Sequence, residues 1–191
     1  MVRPTTPRLL SEQSVVLIVD MQASLMPAID QSNQRIAAAQ RLAKAAKLLG
    51  IPVLATEHLA HKLGSSVEPV AREIEAVCHK THFDGTKEDA FGAFMPANRS
   101  QVVVMGAEAH VCVMQTALGV LQSGQEVWMA TDACGSRHDE DRELGLARLA
   151  RAGAELVSTE MVMFEWLVHA HHPRFREVLA VIKSRDGVEG I

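Results

Sequence analysis

The sequence predicts a three-layer α/β/α sandwich around a mainly parallel, Rossmann-like sheet, and two observations carry that expectation. Short runs of β-branched and aliphatic residues alternate along the chain with longer stretches whose apolar positions recur at helical spacing. Acidic residues and glycines stand where the apolar runs stop. Strands that alternate with helices pair in parallel through right-handed crossovers and are buried on both faces. With 191 residues, 48% of them hydrophobic, one domain over 1–191 buries roughly 70% of its unfolded surface. Residues 1–12 read as a loose N-terminal lead.

The first strand is the continuous run Val15-Val16-Leu17-Ile18-Val19, which stops at Asp20. A crossover helix follows from Asn33 to Leu49, with Ile36, Ala39, Leu42, Ala43, Ala46 and Leu49 on one face, and Gly50 with Pro52 ends it. Pro52 to Thr56 is the second strand. Gln101 to Gly106 is a further strand, and a helix runs from it to about Leu121. Glu126 to Ala130 forms a strand before Asp132, a helix spans about Glu140 to Ala152, and Glu155 to Val157 is a short strand ahead of amphipathic helices. Between Glu57 and Ser100 the pattern is irregular, with a short helix and strand within Val70 to Val77. Such stretches between strands supply active-site loops.

Composition narrows the function. The net charge of −4 has both signs interspersed, so there is no basic stripe for nucleic acid or an anionic membrane. The expected partner is a small-molecule substrate. No window reaches the roughly 18 uninterrupted apolar residues of a membrane span, and the first residues lack a signal-peptide core; a cytoplasmic location is expected. Cys78, Cys112 and Cys134 are odd in number and include no Cys-x-x-Cys pair, which argues for reduced thiols rather than a disulfide framework.

In open α/β sheets, ligands bind beyond the carboxyl ends of the strands. That rule selects Asp20, Glu57-His58, Lys80, the segment Gly106 to Cys112, and Asp132. Cys112 falls near a helix start, where N–H groups and the helix dipole favour a thiolate and an oxyanion. An acid, an amine and a thiol at three strand ends assemble a proton-transfer site. Each also has an ordinary alternative: Cys112 as a packed small residue, Asp20 as a helix cap, and Lys80 as a solvated loop charge.

Three segments together resemble the isochorismatase-like cysteine hydrolases, a superfamily that includes nicotinamidases and carbamoylsarcosine amidohydrolase-like enzymes. They are Val-Leu-Ile-Val-Asp20-Met-Gln, Cys78-His-Lys80-Thr and Gly106-Ala-Glu-Ala-His-Val-Cys112-Val-Met-Gln-Thr116-Ala. Thr131-Asp132-Ala133-Cys134-Gly135-Ser136-Arg137 matches a further family segment, and Glu57 with Leu63-Gly64 is most similar to the isochorismatase-domain-containing subgroup. The resemblance implies a six-stranded sheet and a triad of Asp20, Lys80 and Cys112. It makes Cys112 the nucleophile on an amide-like C–N bond through a thioester, with Asp20 as proton carrier. It places the oxyanion hole at the N–H groups of Glu108 and Cys112, and a cis peptide bond at Ala107–Glu108. Substrate contacts are expected from Glu57, Phe83 and Ala107, and a homo-oligomer, dimer or tetramer, is expected.

The chain departs from two branches of that superfamily. Nicotinamidases carry an Asp-x-His metal motif where this chain reads Thr56-Glu57-His58-Leu59-Ala60-His61. The spacing differs, so no metal is expected. Isochorismate-cleaving members lack the cysteine, so Cys112 argues against that substrate. No Gly-x-Gly-x-x-Gly or Walker pattern occurs, and no cofactor is expected. Cys134 reads as a packed small residue, and Met161 to Phe164 with Trp166 as a core or subunit-contact helix face. A catalytically quiet scaffold of the same fold, or a thiol-redox protein sensing through Cys112, are the competing functions.

Overall fold

In the computed structural model of the chain, which describes residues 8–184, one sheet collects every apolar run read as a strand. Its members are β1 (Ser14–Val19), β2 (Val53–His58), β3 (Ala76–Lys80), β4 (Gln101–Ala107), β5 (Glu126–Gly135) and β6 (Glu155–Val157). They lie in the order β3-β2-β1-β4-β5-β6, and each neighbouring pair is parallel. The central strands β1 and β4 are buried at every residue, as expected where helices cover both faces.

The helices are α1 (Ser32–Leu48), α2 (Ala60–Leu63), α3 (Glu68–Ala71), α4 (Phe91–Phe94), α5 (Cys112–Gln122), α6 (Asp139–Ala152), α7 (Thr159–Leu167) and α8 (Phe175–Lys183). One layer joins α1, α7 and α8, and the other joins α5 and α6. Within α7, Val162, Met163 and Trp166 enter the core while Met161 and Phe164 stay exposed. The Trp166 indole N–H donates to Ser14 Oγ at 2.9 Å, which satisfies the polar end of a buried ring. None of the described helices is long and apolar enough to cross a membrane.

Two expectations need correction. Residues 8–12 are not loose: Leu9 is fully buried, its N–H donates to Glu165 Oε2 at 2.7 Å, and the Leu10 N–H donates to Gln101 Oε1 at 2.8 Å. Residues 1–7 of the expected lead lie outside the described residues. Asp132 does not follow its strand but lies inside β5, where the β4 partner jumps from Met129 opposite Val104 to Cys134 opposite Gly106. That bulge frees the Asp132 carboxylate to accept from Thr159 N (2.8 Å) and Thr159 Oγ1 (2.7 Å) at the start of α7. It closes the start of α7 with these two bonds.

The strand order reverses between β1 and β4, which opens a crevice at their carboxyl ends. Gly106 controls how closely these strands approach. It pairs with Val19, has φ +140°, and a Cβ there would lie 2.0 Å from the Val19 carbonyl oxygen. Only glycine fits. Asp20 and the segment leading to Cys112 therefore emerge side by side.

Candidate active site

Asp20 leaves β1 in the left-handed region, at φ +53°, a conformation aspartate tolerates better than most residues. Its side chain is fully buried and held from two sides. Thr56 Oγ1, on β2, donates to Oδ1 at 2.7 Å. Lys80 Nζ, at the end of β3, lies 2.7 Å from Oδ2, and both side chains of this ion pair are 0% exposed. Lys80 Nζ also donates to the His82 carbonyl at 3.1 Å. A buried ion pair persists only when further hydrogen bonds support it, and Thr56 and His82 supply them.

The loop that supplies the His82 carbonyl is itself anchored. Glu88 Oε1 accepts from Thr81 N at 2.7 Å, from His82 N at 2.9 Å and from the His82 ring at 2.8 Å. The backbone bonds from His82 and then Thr81 hold the Glu88 carboxyl down to about 2. One turn beyond Cys112, Thr116 Oγ1 accepts from Gly85 N at 3.0 Å and donates to Phe83 O at 3.3 Å. So α5 fixes the loop carrying Phe83.

Cys112 is the first residue of α5 and only 7% exposed. Burial, and then the adjacent Asp20 carboxylate, push its thiol up to about 12, while the Lys80 ammonium pulls the other way. The expectation that the helix start holds a resting thiolate is therefore corrected. Desolvation and an anionic neighbour outweigh one helix end and one lysine, and the proton sits on sulfur beside a buried base. Cys134 is fully buried, as its packed reading requires, and burial alone is the leading cause that pushes its thiol up to about 12.

The segment between β4 and α5 is tied to the chain beyond β5. The Ala107–Glu108 peptide bond is cis. Ala109 N donates to Gly135 O at 2.8 Å, and Val111 N and Val113 N donate to Glu108 O at 3.0 and 3.2 Å. The N–H groups of Glu108 and Cys112 have no such partner among the described residues. Arg137 donates to Glu108 Oε2 through its backbone N (3.1 Å) and Nε (2.9 Å), and His110 Nδ1 lies 2.9 Å from Ser136 Oγ.

The structure thus brings together Asp20, Lys80 and Cys112, with Glu108 and Ala107 on the adjoining segment. Phe83, half exposed, flanks His58 with ring centroids 5.4 Å apart. Glu57 is turned elsewhere: its Oε1 accepts from Ser66 N and Oγ at 2.7 and 2.9 Å, and Oε2 faces His79 Nδ1 at 3.6 Å. It anchors the loop after β2. Sequence reasoning missed Thr56, whose position two residues before His58 on the buried face was the available signal. It also missed Gln22, whose amide accepts from His58 N (2.8 Å) and donates to His58 O (3.0 Å) and Gly64 O (2.6 Å). Among the described residues, no three His, Cys, Asp or Glu side chains converge as a metal site requires. A cavity of about 600 Å³ lined by Gln31, Arg35, Arg41 and Asp132 lies over the start of α1, and none of Asp20, Lys80 and Cys112 lines it.

Comparison with known proteins places the chain in a family of this fold. The isochorismatase domain model matches residues 14–161. Isochorismatase domain-containing protein 1 of Salmo salar is 35% identical over 186 residues, covering 96% of this chain and 65% of that protein. This chain therefore spans just under two thirds of that relative's length. Among solved structures, MAR1 ribonuclease of Caenorhabditis elegans superposes with a TM-score of 0.87 at 28% identity, covering 92% of each chain. The YcaC gene product of Escherichia coli, described as an octameric hydrolase of unknown specificity, has the same fold, with a TM-score of 0.83 at 21% identity over 98% of this chain and 100% of that one.

Proposed function

This chain belongs to the isochorismatase-like hydrolase family, and from that premise we propose that it hydrolyses an amide-like C–N bond of a small molecule with Cys112 as nucleophile. The observation that carries the reading is the nearly buried Cys112 thiol beside the fully buried Asp20 carboxylate, which Lys80 pairs at 2.7 Å. Such a site needs no free thiolate at rest. Asp20 takes the Sγ proton as sulfur attacks the carbonyl carbon, so the nucleophile and the proton acceptor arise in one step. Lys80 holds the negative charge in place, first on Asp20 and then shared with the sulfur.

The tetrahedral oxyanion would be met by the Glu108 and Cys112 N–H groups, which together with that of His110 have no backbone partner among the described residues of that segment. Collapse breaks the C–N bond. Asp20 returns its proton to the leaving nitrogen, which departs as ammonia or an amine, and a thioester remains. Water then gives a proton to Asp20 and attacks the thioester carbon. The acid is released and the proton returns to sulfur. Ala107 and Phe83 border the space the substrate would occupy. Glu57 contributes by holding Ser66 and the loop after β2.

A nearly buried nucleophile and a chain of net charge −4 favour a small substrate over a phosphate polymer, although one structural relative carries a ribonuclease name. We propose one hydrolase domain over residues 8–184, a cytoplasmic location and assembly as a homo-oligomer. The test is ammonia or amine release from a panel of amides, carbamates and ureas, with RNA as a further arm. Activity lost in Cys112→Ala, with a thioester adduct on Cys112 trapped by rapid acid quench, is the expected result. A Cys112→Ala protein that still turns over its substrate would overturn the mechanism.

A further inference from the structure

Arg35 is a buried cation without an anion. It lies in the first turn of α1 and is 8% exposed, and among the described residues no carboxylate forms an ion pair with it. The acids that act on it at longer range are engaged elsewhere. Asp139 pairs with Arg142 at 3.2 Å, and Asp30 Oδ2 accepts from Gln31 Nε2 at 3.1 Å. Asp132 offers Arg35 Nη1 only its carbonyl, at 3.3 Å, since both of its carboxylate oxygens accept from Thr159. Arg35 Nε is enclosed and has no partner, and Nη2 has no partner among the described residues but is not enclosed. A charge removed from water is costly unless another charge or a full set of hydrogen bonds answers it.

The guanidinium lines the cavity of about 600 Å³ at the start of α1, with Gln31, Asn33, Gln34, Arg41 and Asp132. The helix end in that wall is itself unanswered. Gln31 precedes it in the left-handed region without a side-chain capping bond, and no acid stands in the first turn. Ser32 N donates to Ile29 O, and Gln34 N and Arg35 N share Gln31 O, which leaves Asn33 N without a backbone partner. A free N–H at a helix start attracts anions. Arg35 and Arg41 add two guanidiniums to the same wall, a set that matches the double charge and several oxygens of a phosphate better than a single carboxylate. The volume is that of a small-molecule pocket and leaves room for an organic group beyond the phosphate.

We propose that this cavity is a second ligand site, which binds the phosphate group of a small phosphomonoester against Arg35 and the start of α1. None of Asp20, Lys80 and Cys112 lines it, so the site stands or falls independently of the chemistry at Cys112.

The test titrates the protein at pH 7 with inorganic phosphate and with glycerol 3-phosphate, chloride holding the ionic strength constant. Amide NMR and calorimetry follow the binding. Both compounds should shift the Asn33 amide and the Arg35 Nε–H and saturate at one equivalent per chain, and the tighter of the two identifies whether free phosphate or an ester is the better ligand. In Arg35→Met both affinities should fall tenfold or more, about the effect of one lost charge-assisted hydrogen bond. In phosphate-free buffer this variant should melt no lower than the wild type, because it removes a buried charge that lacks a counter-charge. The proposal is overturned if neither compound gives a saturable shift at Asn33 and Arg35, if chloride alone reproduces the shifts, or if Arg35→Met binds as the wild type does. The wild-type shifts locate the site whether or not Arg35→Met folds.

Discussion

Replacing Lys80 by Met tests whether the Asp20–Lys80 pair organises the site or merely occupies it. The charges lie 2.7 Å apart with both side chains 0% exposed. At an effective dielectric of about 20, their attraction is roughly 6 kcal/mol, and desolvation of two ions offsets much of that. The intact pair therefore adds little net stability. Removing only the ammonium is different, because the Asp20 carboxylate stays buried with the Thr56 hydroxyl as its remaining hydrogen bond. A loss of about 3 to 5 kcal/mol in urea unfolding at pH 7 is expected. The double variant Asp20→Asn/Lys80→Met removes the orphaned charge and leaves only an amide to satisfy, so it should recover about 2 kcal/mol of that loss. It should remain inactive. The reasoning is refuted if Lys80→Met loses less than about 1 kcal/mol, the range of exposed pairs, or if the double variant is no more stable than the single.

Three further expectations follow from the same geometry. The thiols of Cys112 and Cys134, both raised to about 12, keep their protons in the folded state at pH values where the unfolded chain loses them. Their contribution is therefore intact below about pH 9 and declines as pH rises toward 12, by about 1.4 kcal/mol per pH unit for each thiol. Urea midpoints across that range should fall less steeply for Cys134→Ala than for the wild type. Thr56→Val keeps the shape of a fully buried side chain but removes its 2.7 Å bond to Asp20; thermal melting should show a loss of about 2 kcal/mol, with a fall in kcat. Gly145→Ala on α6 sets a Cβ 2.8 Å from Ala109 O and His110 Cα. It should displace the segment bearing the Glu108 and Cys112 N–H groups and cut kcat at least tenfold, while the melting temperature falls by only a few degrees.

The parts of this protein legible in its sequence are those fixed by local chemistry. Five apolar runs announced strands because both faces of a parallel sheet are dry, and the rule that ligands gather at carboxyl strand ends put Asp20, Lys80 and Cys112 on a short list with Glu57, His58 and Asp132, from which the family resemblance drew the triad. Edge strand β3 was half hidden, since an edge buries one face and only Cys78 and Lys80 among its residues are buried. Asp132 was misplaced for a related reason: a bulge has no sequence signature, so its strand looked shorter than it is.

The protonation state of Cys112 was beyond the sequence because it depends on a competition among three distant segments. A helix start argues for a thiolate, and it is visible in Gly106 to Cys112 alone. Burial and the charge of Asp20 argue the other way and prevail, but they exist only after β1, β3 and β4 have joined one sheet. That outcome changes what the helix start is for. With the thiol neutral at rest, the unpartnered N–H groups near the start of α5 have no resting anion to stabilise. Their charge complement appears only when sulfur has attacked and oxygen carries the charge, which is the condition under which such donors lower a barrier instead of deepening the resting state.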